Sequence, residues 1–162
     1  MNQIHTIPPL YSENSTILLL GSFPSVKSRE QGFFYGHPQN RFWRVISAVF
    51  ECETPKTIPE KKSLLLSHDI ALWDIIASCE IESSSDSSID KVIPNDIGMI
   101  LKSCPIKRIF TNGTVSSKLY RKLIYPKTGI ESIRLPSTSP ANASWPLEKL
   151  IDSWKILIQT QS

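Results

Sequence analysis

The sequence of 162 residues is poor in the side chains that build metal clusters and disulfide frameworks, since it has only three cysteines and three histidines. Cys52, Cys79 and Cys104 are far apart in the chain and odd in number. No group of His, Cys, Asp or Glu has the spacing of a metal site. We therefore expect no bound metal, and we expect reduced cysteines in the core of a cytoplasmic protein.

Long apolar runs are also missing. No run reaches the roughly 18 apolar residues that a membrane helix needs, and the first residues, MNQIHTIPP, do not have the form of a signal peptide. The content of 40% apolar and 20% charged residues is typical of a soluble globular protein, so no membrane partner is expected. The length predicts one domain, residues 1–162, with residues 1–10 as an N-terminal tail. A net charge of +3 permits a polyanionic partner without requiring one.

Nucleotide-binding fingerprints are absent too. The sequence has neither G-x-x-x-x-G-K-[ST] nor G-x-G-x-x-G, so it supports neither a Walker site nor a dinucleotide site. It also lacks the G-x-S-x-G elbow that exposes a nucleophilic serine. Ser22, His37 and Asp74 are nevertheless near one predicted edge, which leaves a small-molecule α/β hydrolase open as an alternative.

What the chain does have is an alternation of short apolar runs with stretches of helical spacing. Each strand candidate is followed by a loop and a helix, which predicts a mostly parallel sheet with helices on both faces. The serine-rich stretch CEIESSSDSSID, residues 79–90, is expected to be a solvated loop. The four strand candidates are residues 17–20, 70–73, 107–111 and 132–135.

The stretch ILLLGSFPSVKSREQGFFYGHPQNRFW, residues 17–43, contains the longest predicted loop. A plain connection would be short and polar, and this loop is long and aromatic. In a parallel sheet the carboxyl ends of the strands share one edge, where open α/β sheets hold their ligands. The other loops of that edge contain WDIIASC, TNGT and LPSTSPANAS. We interpret residues 17–43 as the active-site loop, with the other three loops converging on it.

The residue types at this edge suit a nucleic-acid base. Flat aromatic faces stack on a base, an amide donates and accepts hydrogen bonds, and small residues let the backbone approach a phosphate. The residues with these properties are Gly21, Ser22, Phe23, Ser25, Phe34, Tyr35, Asn40, Ser137 and Ser139.

The segments GSFPS, FFYGHPQNRFW and LPSTSPANAS together resemble the uracil-DNA glycosylase superfamily, and most closely its hypoxanthine (deoxyinosine) DNA glycosylase branch. The similarity includes ALWDIIASC and VIPNDI, and so covers nearly the whole chain. It implies a three-layer αβα sandwich with a central four-stranded parallel sheet. It also implies a monofunctional repair enzyme that hydrolyses the N-glycosidic bond of a deaminated base, most closely hypoxanthine, flipped out of damaged DNA. No metal and no cofactor are implied, and a monomer is expected.

Two positions depart from the wider superfamily. The first motif is GSFPS in this sequence. Many members of the superfamily have Asp or Asn at its third position, to direct the attacking water, and this sequence has Phe23 there. The second motif, LPSTS in this sequence, often begins with His or Asn in the superfamily, and here it begins with Leu135. By similarity to the deoxyinosine branch, the catalytic role falls on Asn40, and Tyr35 stacks on the extruded base. Since both usual polar groups are missing, a non-catalytic lesion-binding relative stays open as a second alternative.

The other predicted contacts follow from position. Thr114 begins a predicted helix, where free N–H groups favour a phosphate, and the loop at 139–141 could wedge into the gap left by a flipped base. The predicted substrate-binding residues are Gly21, Ser22, Phe23, Tyr35, His37, Asp74 and Ser137, and the predicted DNA-binding residues are Ser25, Gly113, Thr114, Ser139, Pro140 and Ala141.

Several of these residues also have a purely structural interpretation. Asn40 could only cap the helix that follows it, and the aromatic run 33–35 could be core packing. His37 could fix the loop by a hydrogen bond. Asp74 could either orient the site or cap the loop after its strand.

Overall fold

The architecture is taken from a computed structural model that describes residues 2–81 and 89–159. A π-helical turn, Tyr120–Ile124, joins two of the helices, and a short 3-10 turn, Pro140–Asn142, lies before the C-terminal helices. In chain order the elements are β1 (Asn2–Ile4), β2 (Ile17–Gly21), α1 (Val26–Gln31), α2 (Phe42–Val49), α3 (Ile58–Ser67), β3 (Ile70–Asp74), β4 (Ile76–Ile81), β5 (Ile89–Pro94), α4 (Ile97–Ser103), β6 (Arg108–Asn112), α5 (Thr114–Leu119), α6 (Tyr125–Thr128), β7 (Ser132–Leu135), α7 (Leu147–Trp154) and α8 (Ile156–Gln159).

A four-stranded parallel sheet in the order β3-β2-β6-β7 forms the centre of the fold. Every residue of β2 and β3 is buried, because helices are packed around the sheet and cover its strands. A strand covered in this way is apolar along its whole length rather than alternating, which explains the sequence ILLLG. The predicted α/β fold with a four-stranded parallel sheet is confirmed.

A second sheet, antiparallel and in the order β1-β4-β5, was not predicted. The expected tail at residues 1–10 is wrong, because Asn2–Ile4 pair with residues 78–80 of β4. Ile7 and Leu10 are buried, and Leu10 exchanges backbone hydrogen bonds with Leu72 of β3. Burial of these two apolar side chains and a full set of strand hydrogen bonds fix the N-terminal segment against the rest of the chain.

Both ends of the serine-rich stretch form strands, whereas the sequence predicts a loop there. Residues 79–81 belong to β4 and residues 89–90 belong to β5, and the two strands pair in antiparallel fashion. The rest of that predicted loop, residues 82–88, lies outside the described residues.

Helix α2 fixes the end of the long aromatic loop. Its buried face includes Phe42, Val45 and Ile46, and it packs on α7, where the rings of Phe42 and Trp154 meet edge to face with centroids 5.8 Å apart. The residue that precedes this helix by two positions, Asn40, is therefore attached to the core. In the parts of the chain that the structure describes, no helix is both long and apolar enough to cross a bilayer.

Candidate active site

A cavity of about 1050 Å³ opens at the carboxyl edge of the parallel sheet. The loops that follow β2, β6 and β7 contribute to its wall together with Asp74, the last residue of β3, as the parallel topology predicted. Every residue that the sequence suggested for catalysis, substrate binding or DNA binding lines this cavity, while the separate role of each stays a prediction. These residues are Gly21, Ser22, Phe23, Ser25, Tyr35, His37, Asn40, Asp74, Gly113, Thr114, Ser137, Ser139, Pro140 and Ala141.

The amide of Asn40 is held in one orientation. Its Oδ1 accepts a hydrogen bond from the backbone N–H of Phe42 at 2.9 Å and another from the hydroxyl of Thr138 at 2.9 Å. Asn40 does therefore cap the start of α2, as its structural interpretation holds, and it lines the cavity as well. Because the oxygen is occupied by two donors, the Nδ2 group is the end of the amide that can donate to a bound molecule.

A second amide extends this arrangement. Asn112 donates from Nδ2 to the Tyr35 hydroxyl at 3.2 Å and to Thr138 Oγ1 at 3.0 Å, and its Oδ1 accepts from the backbone N–H of Thr138 at 3.1 Å. We call Tyr35, Asn40, Asn112 and Thr138 the amide network. Its members are neutral, and they bond one another in a way that fixes which atoms donate and which accept.

Tyr35 presents an aromatic ring to the cavity from an uncommon backbone conformation. Its φ is +54°, in the left-handed region, and its ring is stacked on Phe42 with centroids 4.0 Å apart and an interplanar angle of 16°. Phe33 and Phe34 are buried, so the core-packing interpretation holds for these two residues of the aromatic run. Tyr35 is only half-buried and lines the cavity, as a base-stacking residue must.

Asp74 ends β3 at the cavity wall. Its side chain is 5% exposed, and Oδ2 lies 2.9 Å from Nε2 of His5, whose side chain is 1% exposed. We call His5 and Asp74 the acid pair. The amide of Asn95 donates to the backbone carbonyl of Asp74 at 2.9 Å, so the main chain at this position is held as well.

Gly21 separates the acid pair from the amide network. A Cβ atom at this position would lie 2.4 Å from Asp74 Oδ1 and 2.9 Å from the Tyr35 hydroxyl. Both polar atoms therefore lie directly against the Cα atom of Gly21, and any larger residue would collide with them. The carboxylate oxygen that does not bind His5 is thus on the Gly21 and Tyr35 side of Asp74.

Phe23, which replaces the polar residue of the wider superfamily, makes ring contacts inside the protein. Its ring lies edge to face with His5 at 5.9 Å, and the guanidinium of Arg29 lies 5.2 Å from its centroid.

His37 lines the cavity and also accepts a hydrogen bond at Nδ1 from the backbone of Gln39 at 3.1 Å, which agrees with the loop-fixing interpretation.

The loop after β7 is organised by its own hydroxyl groups. Ser137 Oγ accepts from the backbone N–H of Ser139 at 3.0 Å, and Ser139 Oγ accepts from that of Ala141 at 3.1 Å. Arg41 donates from its guanidinium to the backbone carbonyls of Trp145 and Asn142, which attaches this loop to the start of α2. The candidate wedge at 139–141 therefore has a defined shape at the rim of the cavity.

The hydrolase alternative requires a histidine between a serine and a carboxylate. Within the described residues, Asp74 binds His5, and His37 binds the backbone of Gln39, so Ser22, His37 and Asp74 do not form a linked triad. Across residues 2–81 and 89–159, no three side chains of His, Cys, Asp or Glu come together as a metal site.

Sequence reasoning missed His5, Asn112 and Thr138. The last two are inside the TNGT and LPSTS segments, where the sequence analysis singles out glycine and serine because small residues approach a phosphate closely. Their amide and hydroxyl groups next to a strand end were the available signal. His5 had no such signal, because it is part of the expected tail.

Known proteins resemble this chain over most of its length. Residues 8–158 match the family described as the Uracil DNA glycosylase superfamily. The hypoxanthine DNA glycosylase of Methanosarcina acetivorans is 35% identical over 137 residues, which are 83% of this chain and 85% of that protein. The hypoxanthine DNA glycosylase of Methanosarcina barkeri is 32% identical over 138 residues, with coverage of 83% and 85%. A solution NMR structure of a candidate uracil DNA glycosylase from Methanosarcina acetivorans has a TM-score of 0.80 and 29% identity, and it covers 98% of this chain and 99% of that one.

Proposed function

Because the chain belongs to the uracil DNA glycosylase superfamily, we propose that it is a DNA repair glycosylase that releases a deaminated base, hypoxanthine, from damaged DNA. Two relatives at 35% and 32% identity are hypoxanthine DNA glycosylases, which supports this choice of base. The observation that carries the proposal is the cavity itself, where an aromatic ring, an oriented amide donor and a carboxylate lie around one strand edge.

The shape and lining of the cavity suit a nucleotide that leaves the duplex. Enzymes that act on a base must flip it into a pocket, where aromatic side chains stack on it and polar groups read its edge. A cavity of about 1050 Å³ has room for a purine nucleotide. The ring of Tyr35 can stack on the flipped base and extend the aromatic pair that it already forms with Phe42.

The donor and acceptor pattern of the site matches the pattern that deamination creates. Deamination changes a ring nitrogen that accepts, beside an amino group that donates, into a ring N–H that donates, beside a carbonyl that accepts. The carboxylate of Asp74 can only accept, and the Nδ2 group of Asn40 can only donate. Adenine would place an accepting ring nitrogen against the carboxylate, which costs an unmade hydrogen bond.

In the reaction, a water oxygen bonds to C1′ of the sugar and gives up one proton to solvent. The C1′–N9 bond breaks with its electron pair going to the base, and the base takes up a proton from solvent. Negative charge gathers on the departing base, and a fixed donor aimed at that charge lowers the barrier. Asn40 fits this task, because its oxygen is already bound and its N–H groups are left for the base or for the water. An amide is not a general base, so the role of Asn40 is orientation and charge stabilisation.

The product is an abasic site in an unbroken strand. A Schiff-base mechanism that nicks DNA needs a lysine or another amine at the site. In the described part of the chain, the residues that line the cavity include no lysine. We expect two groups to contact the DNA phosphates. One is Arg134, which is exposed and lines the cavity, and the other is the set of N–H groups at the start of α5 near Thr114. We expect the enzyme to act as a monomer.

The test is a single-turnover assay on duplexes that contain deoxyinosine, deoxyuridine, deoxyxanthosine or no lesion. We expect release of hypoxanthine, with strand breaks only after alkali or heat and with full activity in EDTA. Affinity for DNA should fall as the salt concentration rises. Specific binding of lesion DNA without release of any base would support the non-catalytic alternative instead, and strand breaks without alkali would contradict a monofunctional enzyme.

A further inference from the structure

His5, the residue directly after β1, has a buried side chain that contacts Asp74 of the cavity wall. β1 pairs with β4, and His5 continues this pairing by donating its backbone N–H to Ala77 O at 2.6 Å. Strand β4 starts two residues after Asp74, the last residue of β3. The backbone of His5 is thus attached to the segment that directly follows Asp74, and its side chain turns back to Oδ2 of that aspartate at 2.9 Å.

The imidazole ring of His5 also packs against two phenylalanine rings. Its ring lies 5.9 Å from the ring of Phe23 and 6.1 Å from that of Phe34, measured between centroids. A carboxylate oxygen only accepts hydrogen bonds, so His5 must carry its proton on Nε2 to bond Asp74. The phenylalanine rings limit the positions that the imidazole can take, and the hydrogen bond is directional.

The consequence is a fixed carboxylate. A buried carboxylate is costly unless its oxygens are hydrogen-bonded, and His5 satisfies Oδ2. Asn95 holds the backbone of the same residue. Oδ1 then lies beside Gly21, and Gly21, Tyr35 and Asp74 all line the cavity.

We propose that His5 is a positioning residue for base selection, which acts by holding Asp74 so that Oδ1 accepts the ring N–H of a deaminated base. This inference rests on the proposed function, because it assigns a reader to the base edge that the glycosylase must recognise. His5 touches neither base nor sugar, and its effect passes through Asp74.

The test compares two leaving bases in the same duplex. Hypoxanthine has the ring N–H, whereas purine, supplied as 2′-deoxynebularine, lacks both the N–H and the carbonyl. His5→Phe keeps an aromatic ring between Phe23 and Phe34 but has no donor, and His5→Gln keeps a donor. Ile4→Ala is the matched control, because Ile4 is the last residue of β1, directly before His5, and is 62% exposed.

We expect His5→Phe to slow single-turnover release of hypoxanthine by about 10-fold to 100-fold, since hydrogen bonds to charged groups have effects of this size. Release of purine should not change, His5→Gln should recover most of the hypoxanthine rate, and Ile4→Ala should match the wild type on both bases. Where purine release is too slow to time, affinity for duplexes with the cleavage-resistant 2′-fluoro nucleotides gives the same comparison.

A thermal melt of each variant establishes that it is folded, and His5→Ala replaces His5→Phe if the latter does not fold. A folded variant that slows the release of hypoxanthine and of purine equally would show that His5 only holds β1 in place, and this would overturn the inference. A variant with the wild-type hypoxanthine-to-purine ratio would overturn it as well. A wild-type protein that releases no hypoxanthine would instead overturn the proposed function.

Discussion

The amide network and the acid pair are two polar groups in one cavity that are built in different ways. All four members of the amide network belong to loops or strand ends at the carboxyl edge of the parallel sheet, and they bond one another. The acid pair has one member at that edge, Asp74, and takes the other, His5, from the end of a strand in the antiparallel sheet.

This difference follows from charge. Neutral amides and hydroxyls both donate and accept, so a few of them can satisfy one another within a single loop cluster. A buried carboxylate only accepts, and it needs a donor from outside its own strand end. We infer that the acid pair acts on which base is cleaved, whereas the amide network acts on the rate of bond cleavage and reads the base only through the Nδ2 group of Asn40. The following changes separate these two effects, from the largest expected effect to the smallest.

Asn40→Ala should have the largest effect on rate. Loss of a fixed donor in a preorganised site costs about 2.7–4 kcal/mol, so single-turnover cleavage should slow about 100-fold or more while affinity for damaged DNA stays close to that of the wild type. Asn40→Asp is the matched variant, since it keeps an acceptor for Phe42 and Thr138 but removes the N–H donors. A well-folded Asn40→Ala enzyme with near-normal cleavage would remove Asn40 from the mechanism.

Gly21→Ala should damage both groups at once. Its Cβ would lie 2.4 Å from Asp74 Oδ1 and 2.9 Å from the Tyr35 hydroxyl, and overpacking of this kind typically costs about 1–3 kcal/mol. We expect lower thermal stability together with a slower rate and weaker base selection. Gly98→Ala in α4 is the control, because its Cβ would meet only Asp96 Oδ1, at 3.3 Å. Unchanged base selection in Gly21→Ala would contradict a role of Asp74 Oδ1 in reading the base.

Tyr35→Ala should weaken capture of the base rather than bond cleavage. Loss of a stacking face costs about 1–3 kcal/mol per base, which titration with a cleavage-resistant duplex would measure. Tyr35→Phe should be mild, because the ring stays while the hydroxyl that accepts from Asn112 is lost. Equal losses in the two variants would mean that the hydroxyl, and not the ring, is the important group.

Thr138→Val should have the smallest effect. The isosteric valine removes the hydroxyl that donates to Asn40 and accepts from Asn112, each at about the strength of a neutral hydrogen bond, about 0.5–1.5 kcal/mol. We expect a cleavage rate that is a few-fold to about 10-fold slower, with an unchanged preference for hypoxanthine over purine. Thr138→Ser keeps the hydroxyl and should behave like the wild type. A change of base preference in Thr138→Val would show that the amide network and the acid pair do not have separate effects.

The parallel sheet and the convergence of its loops could be predicted, because apolar runs followed by helical spacing leave few arrangements. The loop that contains Asn40 was found because it is too long and too aromatic for a connection, and the catalytic role of Asn40 is a prediction from the resemblance to the deoxyinosine branch. Its partner Thr138 is 98 positions away in the sequence, and no local pattern encodes a contact at that separation.

The acid pair could not be predicted for a related reason. His5 is 69 positions from Asp74, in a stretch with two prolines and no alternation of polar and apolar residues. The antiparallel sheet next to His5 was equally hard to recognise. β5 exposes the apolar Ile93, β4 buries Cys79, and the register of their pairing shifts, so the apolar residues do not mark one buried face.

The left-handed backbone of Tyr35 has a consequence for how this position tolerates change. A residue other than glycine, asparagine or aspartate at φ +54° is under local strain of about 1–3 kcal/mol. In a saturation library, glycine or asparagine at position 35 would relieve this strain and partly offset the lost packing on Phe42. Selection for stability alone would therefore accept small residues here, and selection for repair would demand an aromatic ring. The fold therefore tolerates small residues at position 35 that the activity does not.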